Sequence, residues 1–154
     1  MAQRKLDKPT VEMLGIAKRA LLRAYAPYSQ FPVGAVLLGA NGRLYAGCNV
    51  ENAAYPQGCC AEASAISAMV MDGEQRIAAA LVMGGGPATI APCGGCRQRL
   101  REFAEDETPI FLCGPEGLRH KTTLGELLPL AFGPENLTGE KNLTGEKNLT
   151  GDKP

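Results

Sequence analysis

The sequence predicts an α/β domain in which a mixed β-sheet carries helices on its faces. Three observations predict it. Apolar residues at helical spacing alternate with short apolar runs in the order α-β-β-α-β-α-β-α. Asn41-Gly42, set between two such runs, marks a tight hairpin, so the first two strands pair antiparallel. At 154 residues the chain can bury one sizeable core and is too short to argue for two.

Each element has its own local reason. Val11, Leu14, Ala17, Leu21, Leu22 and Tyr25 recur at helical spacing behind Thr10, a residue type suited to an N-cap. "FPVGAVLLGANGRLYAGCNVE", beginning at Phe31, then supplies the two hairpin strands. A helix of small apolar residues starts at about Cys60 and ends before Asp72-Gly73. "RIAAALVMGG" reads as a buried strand, and a second helix begins near Cys93 and runs through "CRQRLREFA". "TPIFLCG" is a further strand. "TTLGELLPLAF" opens with a capping box, Thr123 with Glu126, for a short last helix. Residues 1–133 form the folded domain on this reading. Residues 134–154 repeat a six-residue unit with one Leu each, too little apolar surface to offset the entropy of ordering, so a flexible tail is expected there.

Composition excludes several functions. Sixteen Lys plus Arg balance 16 Asp plus Glu, which gives no electrostatic case for nucleic acid or a membrane surface. No run approaches the roughly 20 apolar residues of a membrane span. "MAQRKLDKPT" lacks the apolar stretch of a signal peptide, so a cytoplasmic location is expected. In a reducing compartment the six cysteines point to metal or catalysis rather than to disulfides. The single histidine, His120, stands between Arg119 and Lys121 and reads as a solvated surface residue.

Cys93-Gly94-Gly95-Cys96 is a Cys-x-x-Cys entering a helix. Alone, it fits a redox dithiol, half of a zinc ribbon, or two structural cysteines. Cys59 and Cys60 are adjacent and make a poor second ribbon pair, while a redox pair needs no third thiol. Cys60 also opens a helix. Helix N-termini carry partial positive charge and unpaired N–H groups, which favour thiolates. Two such termini meeting at one point would gather Cys60, Cys93 and Cys96 as three ligands, leaving a tetrahedral zinc one open position. A fourth ligand from Cys48, Cys59 or Cys113 would instead make the site structural. Glu62 decides for catalysis. A structural zinc site gains nothing from a carboxylate two residues past a ligand, whereas a hydrolytic one needs a base. Cys59 is read as a packing residue.

The pair "CAE" and "PCGGC" matches the three-cysteine variant of the zinc deaminase signature. With "YAPYSQFPVGAVLL", "GCNVENAAYP", "APCGGCRQ" and "LGELLPLAF", the chain resembles the small homotetrameric cytidine deaminases over about residues 10–132. The resemblance implies a three-layer α-β-α domain with a central mixed sheet of about five strands. It implies one Zn²⁺ per chain on Cys60, Cys93 and Cys96, with Glu62 moving protons during conversion of cytidine or deoxycytidine to the uracil nucleoside. Asn49 and Glu51 would hold the ribose 3′-hydroxyl, Phe31 would flank the base, and the N–H of Ala61 would lie beside the pyrimidine. Phe132 would stand near the active site of a neighbouring subunit in the homotetramer. In one place the chain departs from the pattern: Ala63 occupies the position where the family usually has an arginine bonding the thiolates. The helix termini and Arg97 are the candidates to offset that charge.

Two other functions compete. One is deamination of a related nucleoside such as blasticidin S, against which the intact "NVENAAYP" segment argues. The other is a structural zinc module without catalysis, against which Glu62 argues. A polynucleotide substrate is disfavoured by the absence of a basic stretch and by an aromatic content of only 5% for stacking.

Overall fold

Strands β1 (Val33–Gly39) and β2 (Leu44–Cys48) form the antiparallel hairpin expected around Asn41-Gly42, with Gly42 at φ +80° as such a turn requires. The computed structural model describes residues 6–137. Within them follow α2 (Ala61–Met71), β3 (Ile77–Gly84), α3 (Gly94–Arg101), β4 (Pro109–Gly114), β5 (Gly117–Thr123) and α4 (Leu124–Leu127), with α1 (Val11–Leu22) ahead of the hairpin. The sheet order is β2-β1-β3-β4-β5. Among the five described strands, β3 and β4 pair in parallel, because α3 carries the chain back between them, and the other pairs are antiparallel.

Alternation along the central strands builds two cores. Val36, Leu81 and Phe111 face α1 and meet Met13, Ala17 and Leu21. Their neighbours Leu37, Ala80, Ile110 and Leu112 face the opposite way and meet Ala65, Ile66 and Met69 of α2, Leu100 of α3 and Leu124 of α4. This is the three-layer mixed-sheet domain that was expected.

Several elements differ from expectation in detail. The buried stripe of α1 is Met13, Ala17, Ala20 and Leu21, whereas Val11 and Leu22 are 88% and 84% exposed. At about 100° per residue those two fall on the far side of the helix. Helix α3 stops at Arg101 rather than continuing to Ala104, and α4 is a single turn. Periodicity did not mark β5: "GLRHKTT" is a mostly exposed edge strand in which only Thr122 is fully buried, so it carries no apolar alternation. His120 lies on it and is exposed, as expected. Both predicted threonine caps form. The Thr10 hydroxyl accepts from Met13 N at 3.1 Å, and Thr123 and Glu126 close a capping box.

The first residues of the stretch expected to be a tail, Pro134–Asn136, form a 3-10 turn in which Glu135 pairs with Arg101. The rest of that stretch, 138–154, lies outside the described residues, as do residues 1–5. Among the described residues no helix is long and apolar enough to cross a membrane.

Candidate metal centre and active site

Local packing fixes the starts of α2 and α3 before any chemistry is considered. Gly47 on β2 lies so close under α2 that a Cβ there would come under 3.0 Å from Ala61 O and Ala65 N. Ser64 Oγ donates to Cys48 O at 3.1 Å, and Val50 and Cys59 exchange backbone hydrogen bonds at 2.8 and 2.9 Å just ahead of Cys60. Across the site, Arg97 ties α3 down, with Nε donating to Pro92 O at 2.7 Å and Nη1 to Leu127 O at 2.8 Å.

Cys60 and Cys93 are the N-cap residues of α2 and α3, and neither makes a side-chain capping bond. Cys96 sits one turn into α3 and is buried. The three sulfurs lie within 4.8 Å of one another, with Cys60 and Cys93 separated by 3.9 Å. Sulfurs about 2.3 Å from one tetrahedral zinc stand about 3.8 Å apart, so the donor set has the size the ion needs. Glu62, in the first turn of α2, is only 4% exposed, and its Oε2 is 3.4 Å from Cys96 Sγ.

The electrostatics fit a cation at this point. Burial pushes the Cys96 thiol far up, and the charges of Glu62 and Cys60 push it further. Burial also raises Cys60, with Cys93 and Glu62 adding to the effect and Cys96 opposing it. Burial raises Cys93 too, but there the Cys96 backbone N–H and the neighbouring thiols outweigh it and leave the group lowered. Four groups that can become anions thus crowd one another, and a divalent ion reverses that repulsion while drawing off the thiol protons.

A cavity of about 280 Å³ opens onto this cluster, lined by Cys60, Ala61, Glu62 and Cys93 with Phe31, Val33, Val82 and Ile90 as apolar walls and Ser29 and Asn49 as polar ones. Ser29 also borders a second cavity of about 310 Å³ that contains Glu51, Tyr28 and Tyr55. Asn49 and Glu51 lie past the end of β2, and both side chains turn to the Tyr28–Val33 segment. Asn49 accepts from Val33 N and donates to Phe31 O, each at 2.9 Å. Glu51 accepts from Ser29 N at 3.0 Å and Tyr28 N at 3.1 Å, and the Ser29 N–H holds its carboxyl below the ordinary carboxylate value. The two side chains thus point the same way, although neither residue is in a strand, and they brace the loop that carries Phe31.

The other expected positions separate. Ala61 is the buried first residue of α2 and lines the cavity. Phe132 stands outside it, 58% exposed, its carbonyl accepting from Gln98. Cys59, read as a packing residue, is exposed in the chain, its sulfur 3.4 Å from Ser64 Oγ, because the bridge to Val50 holds it outside the core. Cys113 is buried in the core on the α1 side of the sheet, and Cys48 donates to Arg23 O; neither joins the sulfur cluster. Arg97, a candidate to offset thiolate charge, spends its guanidinium on the carbonyls of Pro92 and Leu127. Sequence reasoning missed Val33, Val82 and Ile90 as cavity walls. Apolar residues in or beside strands read as core, and only a partner across open space reveals a lining.

The family profile described as the cytidine and deoxycytidylate deaminase zinc-binding region matches residues 8–112. A cytidine deaminase of Sporosarcina psychrophila is 41% identical over 127 residues, which is 82% of this chain and 93% of that protein. A cytidine deaminase of Mycobacterium tuberculosis is 40% identical over 126 residues, 82% of this chain and 91% of that protein. The crystal structure of cytidine deaminase from Burkholderia pseudomallei superposes with a TM-score of 0.75 at 40% identity, covering 80% of this chain and all of that one. The zinc-binding profile and the three-sulfur cluster together make zinc the cofactor, one ion per chain. The chain belongs to the cytidine and deoxycytidylate deaminase family.

Proposed function

We propose that the protein hydrolyses cytidine and deoxycytidine to uridine and deoxyuridine with release of ammonia, a step of pyrimidine salvage. One observation carries the reading: a buried carboxylate, Glu62, 3.4 Å from a cluster thiol, shares a cavity with two of the three sulfurs. Cys60, Cys93 and Cys96 hold the ion in this reading. Zinc bound there supplies the Lewis acidity that makes water a nucleophile at neutral pH. Glu62 takes the proton lost by the water that attacks C4, delivers it to N3, and assists protonation of the departing amine. The second water proton, left on the new C4 hydroxyl, passes through Glu62 to the departing amine, so water and cytidine become uridine and ammonia.

The remaining roles follow the cavity. Asn49 and Glu51 bind the ribose 3′-hydroxyl while bracing the loop beneath it. Phe31 flanks the base and the Ala61 N–H lies beside it. Their shared lining with Glu62, or with Ser29 in the adjoining cavity for Glu51, supports this. The protein works as a homotetramer in which Phe132 of one chain reaches a neighbour's site, a reading supported by its exposure outside its own cavity. Cytoplasmic residence suits six free thiols, and deletion of residues 136–154 should leave activity intact. The balanced charge argues for nucleosides rather than nucleic acid as partners.

Loss of cytidine absorbance on adding purified protein tests the reaction. Zinc-dependent turnover is the expected result. A zinc-loaded, folded protein that leaves both nucleosides intact overturns it.

A further inference from the structure

The loop between β3 and α3 is short of side chains and long on neighbours. Gly85 and Gly86 open it after Gly84 closes β3, and Ile90 stands two residues before Pro92-Cys93. Gly84 leaves room for Ile90, whose side chain a Cβ there would meet under 3.0 Å. Gly85 N donates to Pro32 O at 3.2 Å, and Gly86 lies against the Phe31 ring. Phe31 and Ile90 are both walls of the cavity onto which Glu62 opens. Both walls therefore rest on a glycine run that has no side chains to hold its own shape.

One residue from a distant strand holds that run. Arg119 of β5 turns its largely buried side chain to the loop, and its Nη1 donates to Gly86 O at 2.9 Å and to Ala88 O at 2.7 Å. The other edge of the guanidinium is engaged by the Glu116 carboxylate through Nε and Nη2, a two-point pairing that fixes its plane. Gly114 on β4 makes the seat: a Cβ there would fall on the guanidinium itself.

We propose that Arg119 is a positioning residue for substrate binding: by stapling the glycine loop through two carbonyls, it sets the spacing of the Phe31 and Ile90 walls that grip the base. It touches neither the sulfur cluster nor Glu62, so its effect falls on affinity rather than on the chemical step. This inference rests on the nucleoside reading of the cavity, and its test separates the two.

In the full-length zinc-loaded protein, Arg119→Ala raises KM for cytidine about tenfold while kcat changes less than about twofold, with zinc content kept. Arg119→Lys, able to reach a carbonyl but not to form the planar fork, recovers part of the loss. Gly114→Ala evicts the guanidinium without removing its charge and reproduces the rise in KM. Amide hydrogen exchange in residues 85–91 speeds up in Arg119→Ala and Gly114→Ala, a readout that needs no turnover. Thr10→Ala, a cap on the far face, lowers stability and leaves KM unchanged. The proposal is overturned if loop exchange is unaltered in both Arg119→Ala and Gly114→Ala, if KM stays constant in a folded Arg119→Ala protein, or if Thr10→Ala raises KM equally. Should the unaltered protein deaminate no cytidine, the functional reading fails and loop exchange alone decides the positioning role.

Discussion

Two pairs of helices begin in different ways. Helices α1 and α4 start on threonines whose hydroxyls accept a first-turn N–H, and they pack as structural elements. Helices α2 and α3 start on Cys60 and Cys93, which make no capping bond, and their N-termini converge on a third thiol and a buried carboxylate. A cap of the threonine kind is worth about 1 kcal/mol. The cysteine-started helices do without it, and their first-turn N–H groups and dipoles remain available to the sulfur cluster. The same contrast separates the two buried thiols. Burial raises both Cys96 and Cys113, yet Cys96 sits at a helix start among other donors, whereas Cys113 belongs to the apolar cluster of Met13, Leu81, Met83 and Phe111. Burial alone does not make a site. Convergence of polar termini does.

The sharpest break of this comparison exchanges caps for alanine. Cys93→Ala is expected to lose zinc and turnover together, measured by metal analysis and cytidine loss, because three sulfurs become two. Thr10→Ala is expected to lose about 1 kcal/mol of stability and nothing in zinc content or kcat. Retained zinc in Cys93→Ala would show that the uncapped terminus is structural after all.

Glu62→Gln separates the buried acid from the metal beside it. Zinc content and fold should persist while kcat falls by about 10² to 10⁴-fold or more, the range for a group that moves protons. Near-normal turnover in that variant would remove Glu62 from the chemistry.

Smaller effects belong to the loop braces. Asn49→Ala and Glu51→Ala should raise KM for cytidine, with free cytosine, which lacks the ribose, little affected. Equal losses on both substrates would mean that these side chains only hold the Tyr28–Val33 segment. The smallest effect is a matter of pH on the far face. Burial lifts Cys113 from 9.0 to about 11, so its contribution to stability is complete below pH 9 and is lost as pH rises through about 11. The stability gap between the unaltered protein and Cys113→Ala should therefore narrow between pH 9 and 11. A constant gap in denaturant titrations would place Cys113 in contact with solvent.

Much of this was legible in the residues. Thr10, Thr123-Glu126 and Asn41-Gly42 act on atoms three or four residues away, so the caps and the hairpin they predict are present. The readings that failed needed knowledge of a partner. Val11 and Leu22 are as apolar as Met13, and only the sheet beneath α1 decides which side is buried. Strand β5 pairs along an edge through backbone groups, which "GLRHKTT" does not advertise. Cys59 and Cys60 are neighbours in the chain, yet one is exposed and the other joins the cluster.

By itself, then, the sequence determined the α/β class, the helix starts and the presence of thiols and an acid at two of them, because each depends on short-range backbone geometry. Tertiary structure alone decided that Cys60, Cys93 and Cys96 come within 4.8 Å while Cys113 lies across the sheet, and that Arg119 reaches back to the glycine loop. These juxtapositions follow from strand order and from which face each helix covers. Both are set by the joint burial of apolar surface from distant segments, a property no single stretch of the chain possesses.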